Sequence, residues 1–452
     1  MNGGLPSVGE RLYRARRIGT TFGRVYLGIK THQWIERRLS PPDMKRRWRR
    51  HNRQSARSIH ETAIELQGLI LKGCQFLGSR ADVLPPEYVE VLSALQDRVP
   101  PRPFGAIRRL VESELGAPLG DVFETFEPRP LAAASLAQVH LARLQDGRSV
   151  AVKVQYPDIA GLVHSDLSNL RALFRAVGWL ERDFDLMPLV EELSRVMPEE
   201  LDFEREGRTC ERIGDFFADR PDVAVPEIHW EWTRRRVLVM DYIDGIKISD
   251  TDALRDEGID TGALMQTVVE AYCEMILARG LFHADPHPGN LMVRRGPGGR
   301  PQLVLLDFGL AKELPPDFRV HVVGLAAAVL AGDPGRMAES LLELGFETRS
   351  GGAAALERIA QAVLEAAIAL REQAFVDPDV AQRAGEHISR LVRQDPIVRI
   401  PSHLVLVGRV VGLLSGLGRT LEARVDMLRT LWPYAMASPT PGPPADRTPA
   451  DP

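Results

Sequence analysis

The sequence predicts an α+β fold of two lobes, a small lobe built on a sheet and a larger helix-rich lobe, preceded by a helical extension. Two β-hairpins are the first observations behind this prediction. Alternating apolar residues and a Gln-Asp-Gly turn indicate a hairpin over Ala137–Leu144 and Ser149–Gln155. A second hairpin is indicated over residues 291–295 and 302–306, with a Gly-Pro-Gly-Gly turn between them. Helical periodicity dominates on both sides of these hairpins, which is the third observation.

The composition is ordinary for a soluble globular protein: 452 residues, 44% hydrophobic, 26% charged, with a formal net charge of −4. Cys74, Cys210 and Cys273 are scattered, so we expect neither a disulfide framework nor a zinc site, as in a reducing cytosol. No apolar run approaches the roughly 20 residues that a helix needs to span a bilayer. We therefore expect a cytoplasmic protein, either free or peripheral on the inner face of the membrane.

The first 53 residues are strongly basic, with 14 Lys or Arg and three acids. Tyr13, Phe22, Tyr26 and Trp34 are interleaved with these charges. Two explanations stay open. The charges can form the solvated face of helices that pack on the main body, or they can dock on an anionic membrane surface, where each Lys or Arg contributes about 1 kcal/mol. We expect no nucleic-acid partner because no recognised binding motif is present.

The pattern along the chain predicts the order of elements and five segments. Helices are expected over residues 57–77, 86–97, 104–115, 157–181 and 187–217, and further strands over 225–230 and 236–241. The segments are a basic N-terminal segment (1–56), a helical extension (57–103), an N-lobe (104–240), a C-lobe (241–437) and a disordered tail rich in Pro, Asp and Thr (438–452).

Asp285, Asn290 and Asp307 carry the most chemical information. Asp285 and Asn290 lie five residues apart in one short loop, and Asp307 opens an Asp-Phe-Gly motif directly after the second hairpin. This order is typical of a protein-kinase-like catalytic centre. One carboxylate acts at the attacking oxygen, while an amide oxygen and a second carboxylate hold Mg²⁺. We expect Asp285 to be catalytic, and Asn290 and Asp307 to be the metal ligands. Together with the hairpins, the motif predicts a two-lobed protein-kinase-like fold, with ATP in the cleft.

Lys153 is the expected phosphate-binding and second catalytic residue. It lies in an apolar strand, where its ammonium needs a partner to offset desolvation. Glu206 is the first candidate for that partner and Glu200 the second, because both lie in the acid cluster of residues 200–206. A helical insert that ordinary protein kinases lack separates Lys153 from this cluster.

The expected phosphate loop contains alanines where a protein kinase has glycines. We expect Ala132, Ala133, Ala134 and Ser135 to contact ATP in a loop of different shape, because alanine does not adopt positive φ freely. The segment 240–245 is the expected hinge. Its order in the chain predicts that the Met240 and Tyr242 region binds adenine through the backbone.

These residues resemble the UbiB family of atypical, protein-kinase-like ATPases. The alanine-rich loop is matched at residues 132–138, and the Lys-x-Gly-Gln extension motif at Lys72 and Gln75. A Pro-Pro-Glu-Tyr helix and a Leu-Gln-Asp stretch follow at residues 84–101, and the Glu-x-Asp cluster is matched at Glu200 and Asp202. The similarity covers about residues 60–320 and is weaker in residues 404–409.

Two departures from the family pattern stand out. The third extension position is Cys74 where the family has glycine, and no transmembrane helix is visible where some members have one. The resemblance implies that the extension, with Lys72 and Gln75 as regulatory residues, folds over the cleft for a protein substrate. Lys72 can pair with either Asp307 or Glu200 by charge. Restricted protein-kinase activity follows from the resemblance.

The sequence therefore predicts an enzyme that uses ATP and Mg²⁺ for phosphoryl transfer, an ATPase tied by resemblance to isoprenoid-lipid or quinone metabolism. Two alternatives stay open. A small-molecule phosphotransferase of the aminoglycoside-kinase type has the same His-x-Asp-x₄-Asn pattern. A nucleotide-gated scaffold would bind ATP without turnover.

Overall fold

The computed structural model describes residues 7–39, 42–78, 84–92, 95, 100–180, 187–371, 387, 390–392 and 394–436. The predicted disordered tail and the end of the predicted helix over residues 86–97 lie outside these residues. The chain divides into two compact units, one formed by Met1–Glu211 with Pro226–Asp244 and the other by Arg212–Val225 with Gly245–Pro452.

The first unit begins with helices. These are α1 (Val8–Leu39), α2 (Met44–Leu66), α3 (Gly68–Gly78), α4 (Pro86–Leu92), α5 (Phe104–Leu115) and α6 (Leu119–Val122). The helix predicted over residues 57–77 is wrong as a single element. Gln67 and Gly68 both adopt left-handed φ angles of 53° and 57°, which end α2 and start α3 in a new direction.

A five-stranded antiparallel sheet follows in the same unit. Its strands are β1 (Phe123–Phe126), β2 (Ala132–Ala133), β3 (Ala137–Leu144), β4 (Ser149–Gln155) and β6 (Val237–Asp241), in the order β1-β3-β4-β6 with β2 beside β3. The predicted bounds of β3 and β4 are confirmed. One face of the sheet is apolar because alternate residues such as Val150, Val152 and Val154 point into the core, where none is exposed.

Three helices complete the first unit: α7 (Ile159–Leu180), α8 (Met187–Glu200) and the start of α9 (Phe203–Phe216). The single helix predicted over residues 187–217 is wrong, because the chain turns at Leu201 and Asp202. The strand predicted over residues 225–230 is also wrong. A short strand, β5 (Val223–Ala224), ends before Pro226, which has no N–H to donate, and only an isolated bridge joins Ile228 to Met240.

The second unit contains a four-stranded sheet in the order β5-β10-β9-β7. Its remaining strands are β7 (Ile246–Lys247), β9 (Leu291–Arg295) and β10 (Pro301–Leu305), and β8 (Leu281–His283) pairs with β11 (Ala311–Glu313). A two-stranded ladder joins β12 (Glu347–Thr348) to β13 (Ile397–Arg399). The hairpin β9–β10 is the predicted one, and its turn lies at Pro297–Gly299.

The helices of the second unit surround these strands. They are α10 (Thr251–Asp256), α11 (Thr261–Cys273), α12 (Phe318–Ala331), α13 (Pro334–Glu343), α14 (Ala353–Arg371), α15 (Ser402–Thr420) and α16 (Met427–Met436), and α11 continues as a π-helical turn over Glu274–Arg279. No helix among the described residues is long and apolar enough to cross a membrane.

Candidate active site

The catalytic loop of the second unit follows β8 and leads into the hairpin β9–β10. Asp285 is half-buried after the strand, and Asn290 closes a single 3-10 turn that His287 caps by accepting from the Gly289 N–H at 3.1 Å. The Asn290 side-chain amide donates to the Asp285 carbonyl at 3.1 Å. This bond directs the amide nitrogen of Asn290 toward Asp285, so its amide oxygen faces the other way.

Asp307 lies at the end of the hairpin, beside the same loop. The Leu306 N–H donates to the Asn290 carbonyl at 2.9 Å, which ties the two segments together. Asp307 is exposed and has a left-handed φ of 57°. Such a conformation costs a non-glycine residue about 1–3 kcal/mol, and neighbouring contacts must hold it. Asp285, Asn290 and Asp307 therefore lie close together in the chain's fold, the first two in the loop and the third beside it.

His283 supplies some of the contacts that maintain the conformation of Asp307. It is fully buried, and its Nε2 lies 3.0 Å from the Leu306 carbonyl and 2.7 Å from the Asp307 carbonyl. The Asp285 N–H donates to His283 Nδ1 at 3.3 Å, and the Tyr272 hydroxyl lies 3.2 Å from the same nitrogen. Since both carbonyls require a donor, Nε2 carries the proton and Nδ1 accepts. His283 therefore connects the backbones of Asp285 and Asp307.

Arg409 on α15 contacts Asp285 directly. Its Nη2 lies 2.7 Å from Asp285 Oδ1, and the Arg409 side chain is 15% exposed. A charge-assisted bond of this kind fixes the carboxylate more strongly than a neutral one. The sequence reasoning missed roles for Arg409 and His283. His283 could have been found from its place two residues before Asp285, whereas Arg409 is 124 residues away.

Asn290 and Asp307 are the residues expected to hold Mg²⁺. Among the described residues, no group of three or more His, Cys, Asp or Glu side chains could hold a metal ion by itself. Mg²⁺ at a nucleotide site takes one or two protein ligands and completes its shell with phosphate oxygens and water. An exposed carboxylate on Asp307 and an oriented amide on Asn290 fit this pattern.

Lys153 lies in β4 of the first unit and is paired. Its ammonium is 2.6 Å from Glu206 Oε1 on α9, and the two side chains are 11% and 5% exposed. The ammonium also lies 5.2 Å from the centre of the Phe203 ring. The pair is therefore largely desolvated, and loss of either charge would leave the other buried.

Glu200, the second candidate partner of Lys153, contacts a different lysine. Glu200 Oε2 lies 2.9 Å from Lys72 Nζ on α3, so that assignment of Glu200 is corrected. Gln75 donates to the Leu95 carbonyl at 3.0 Å. Cys74 between them is buried, and burial raises the pKa of its thiol to about 12. The extension helix is thus tied to α8 by an ion pair.

The alanine-rich loop forms a short hairpin. Ala132 and Ala134 are exposed, Ala133 is half-buried and Ser135 is buried. Ala132 pairs with Val139 in the β2–β3 ladder, and the Ala134 N–H donates to the Ala137 carbonyl at 2.8 Å. The three alanines are therefore the accessible part of this loop.

The expected hinge continues from β6. Met240 pairs with Ala151 in the sheet, and the Tyr242 N–H donates to the Ser149 carbonyl at 3.1 Å. The Asp241 carboxylate lies 3.0 Å from His229 Nε2. Recognition of adenine by the Tyr242 N–H would require its existing hydrogen bond to open.

Comparisons with known proteins agree with this geometry. A family model described as the ABC1 atypical kinase-like domain matches residues 94–341. An uncharacterised Synechocystis protein is 32% identical over 426 residues, covering 93% of this chain and 72% of its own length. The Arabidopsis thaliana chloroplastic protein named ACTIVITY OF BC1 COMPLEX KINASE 8 is 34% identical over 84% of this chain. The chain spans 54% of that plant relative.

One solved structure shares the fold. The Mycobacterium tuberculosis protein Rv3197, solved with erythromycin, superposes with a TM-score of 0.57 over 79% of this chain and 89% of its own. The sequences are 23% identical, so the likeness concerns the fold alone.

Proposed function

This chain belongs to the ABC1 atypical kinase-like family, the UbiB family, and on that premise we propose that it binds ATP with Mg²⁺ and transfers or hydrolyses the terminal phosphoryl group. The observation that carries the proposal is the cluster of Asp285, Asn290 and Asp307 around one loop. A carboxylate base and two types of metal ligand brought together in space are what phosphoryl transfer needs from a protein.

Each residue has a separate role in this proposal. The Asp285 carboxylate orients the attacking hydroxyl or water and accepts its proton, while Arg409 and Asn290 fix its position. Asn290 and Asp307 hold Mg²⁺, which when bound offsets charge on the phosphate oxygens. Lys153 neutralises the phosphates, and Glu206 keeps its ammonium in place. The exposed alanines of the loop contact the triphosphate through their backbone.

The reaction class is tested by phosphate release from ATP. We expect release without any added acceptor, which separates an ATPase from a phosphotransferase of the aminoglycoside-kinase type. Release only in the presence of a small hydroxylated acceptor would favour that alternative. ATP binding without any release would favour the nucleotide-gated scaffold. We expect no phosphorylation of a generic protein substrate, because the resemblance implies restricted activity on proteins.

We also propose that α1 docks on an anionic membrane surface. One side of α1 is fixed to the protein by a buried ion pair, in which Arg14 Nε donates to Asp166 Oδ1 at 2.8 Å, and by Arg14 donating to the Leu66 carbonyl. Burial raises the pKa of Asp166, although the Arg14 guanidinium opposes that shift. Because this side of α1 is held, only its other side can meet a partner.

The opposite side of α1 combines apolar and basic residues. Leu12, Leu27 and Trp34 are 66%, 65% and 58% exposed, and Arg16 and Arg38 are exposed at helical spacing among them. An apolar stripe flanked by Arg is typical of helices that lie in the interface of a bilayer. The link to isoprenoid lipids or quinones depends on the family resemblance alone, and it stays part of the proposal.

Liposome co-sedimentation tests the membrane proposal. Deleting α1 would remove the buried Arg14 contact, so substitutions on the outer side are the cleaner change. We expect Leu27→Ser with Trp34→Ser to abolish binding to vesicles containing anionic lipid, with an unaltered melting temperature. Ile64→Ser, at an exposed apolar residue of α2, is the matched control. Equal binding by wild type and the double variant would reject α1 as the docking surface.

A further inference from the structure

The alanine-rich loop keeps its shape without any left-handed residue. Positive φ angles among the described residues occur at Gln67, Asp307, Glu422 and several glycines, and none lies in the loop. Ala132 and Ala133 pair with β3, so the loop is an extension of the sheet. The tip is the part without ladder pairing, and its carbonyl groups need donors from elsewhere.

Tyr156 supplies two of those donors. It follows β4 directly and is 1% exposed. Its hydroxyl donates to the Ala134 carbonyl at 2.9 Å, and its backbone N–H donates to the Leu136 carbonyl at 3.0 Å. Burial raises the pKa of the Tyr156 hydroxyl to about 12, so the donor proton is retained throughout the neutral range. One residue thus binds both sides of the loop tip.

Arg102 connects the same tyrosine to the end of the helical extension. Its guanidinium lies 5.3 Å from the centre of the Tyr156 ring, in cation–π contact. Its backbone N–H donates at 2.8 Å to the side-chain oxygen of Gln138, which is buried in β3 at the end of the loop. Gln138 in turn contacts His140 Nε2 at 2.8 Å. Loop, strand and extension therefore share one buried polar cluster.

We propose that Tyr156 is a positioning residue that clamps the alanine-rich loop in the shape that holds nucleotide phosphates, and that Arg102 links this clamp to the extension. The proposal rests on the proposed function in one respect, the binding of phosphates by the loop. A glycine-rich loop is pliable because glycine has little conformational restriction. Here the alanines restrict the loop backbone, and the Tyr156 hydroxyl fixes its tip.

Nucleotide affinity of Tyr156→Phe tests the clamp. We expect ATP and ADP to bind more weakly by up to about tenfold, because the loop tip loses one hydrogen bond. Adenosine, which lacks phosphates, should bind within about twofold of wild type. A general loss of stability would weaken all three ligands alike. The contrast between ligands is therefore the readout for a positioning role.

Tyr434→Phe is the matched control. Tyr434 is also partly buried, and its hydroxyl contacts Arg220 at 3.4 Å in the other unit of the chain. It should leave all three affinities unchanged. Arg102→Gln keeps the Tyr156 hydroxyl bond and removes the cation–π contact, together with a half-exposed ion pair to Asp158 at 3.7 Å. We therefore expect a smaller loss for ATP, about two- to fivefold. Equal ATP affinity in wild type and Tyr156→Phe would overturn the proposal.

Hydrogen exchange of the wild-type chain provides a test that needs no variant. The amides of Ala134 and Tyr156 should be protected without nucleotide, in contrast to Asp146 in the open β3–β4 turn. Exchange of the Tyr156 amide, which donates to the Leu136 carbonyl, as fast as that of Asp146 would also overturn the clamp. If the proposed function is wrong and the clamp is right, the chain binds no ATP but its amides still show this protection. The two failures are therefore distinguishable.

Discussion

The catalytic loop and the alanine-rich loop are held in place by different means. Around Asp285, side chains hold the loop in place. His283 is buried beneath the loop, the Asn290 amide donates to the Asp285 carbonyl, and Arg409 pairs with the Asp285 carboxylate. At the alanine-rich loop, the backbone pairs with β3, and the alanine side chains have no polar group that could form a hydrogen bond. A loop can therefore expose reactive side chains or expose backbone groups. In both cases, hydrogen bonds from neighbouring residues hold the loop in its shape.

Asp307→Asn tests the expected metal ligand on the catalytic side. The variant keeps the size of the side chain and removes the charge that the proposal gives to Mg²⁺. We expect the Mg²⁺ concentration for half-maximal ATP turnover to rise at least tenfold, on the order of 1.4 kcal/mol or more. ATP affinity without Mg²⁺ should not change. An unaltered Mg²⁺ requirement would remove Asp307 from the metal site.

Arg409→Gln sharpens the comparison, because it tests whether a distant residue supports the catalytic loop. We expect turnover to fall about tenfold, since the Asp285 carboxylate loses one restraint, while the KM for ATP stays constant. Arg419→Gln, on the last turn of the same helix, is the control. A rise in turnover would contradict this role, because it would mean that the ion pair with Arg409 makes the Asp285 carboxylate less reactive.

Glu206→Gln examines the ion pair of Lys153 on β4, in the same sheet as the alanine-rich loop. The Lys153 ammonium would keep a hydrogen-bond acceptor but lose a buried counter-charge. We expect the free energy of unfolding to fall by about 1–3 kcal/mol and ATP to bind several-fold more weakly. Glu204→Gln, on the exposed side of α9, should change neither quantity. Urea unfolding and nucleotide titration measure the two effects, and full stability in Glu206→Gln would contradict the assigned pair.

The smallest effect should come from outside both loops. His51 on α2 is buried against His32, with ring centres 4.5 Å apart, and burial lowers the pKa of His51, with a further contribution from His32. A lowered folded-state pKa favours the neutral ring, so its contribution to stability is complete above the ordinary histidine pKa of about 6.5. It is lost as the pH falls through the lowered value.

The melting temperature should therefore decrease between pH 7.5 and pH 5.5 more in wild type than in His51→Gln. His164→Gln, at an exposed histidine of α7, should follow the wild-type profile. ATP turnover measured at constant temperature should not distinguish the variants. Parallel melting profiles for wild type and His51→Gln would show that this histidine does not link stability to pH.

The sequence predicted those parts of the molecule whose geometry is local. The bounds of β3, β4 and β9 were predicted because alternation and turn residues determine a hairpin over a few positions. The fold class and the family were also predicted correctly. The spacing of Asp285 and Asn290 implied their proximity, because one short turn joins them.

Non-local features escaped the sequence. Nothing near Tyr156 indicates that its hydroxyl meets Ala134, and nothing near Arg409 indicates Asp285. The break between α2 and α3 at left-handed Gln67 has the adjacent Gly68 as its one local signal, and the helical periodicity continues across it. The choice between Glu206 and Glu200 also depended on packing, since both acids lie in one short segment. The catalytic role of Lys153 and the regulatory role of Lys72 stay predictions.

Turnover by Asp285→Asn is the most direct test of the central claim, that this carboxylate performs phosphoryl transfer. At saturating MgATP we expect phosphate release to fall by about 10²–10⁴-fold, the usual contribution of a positioned general base, while nucleotide affinity is retained. Asp317→Asn, before α12, should release phosphate at the wild-type rate. Unchanged phosphate release by Asp285→Asn would contradict the account.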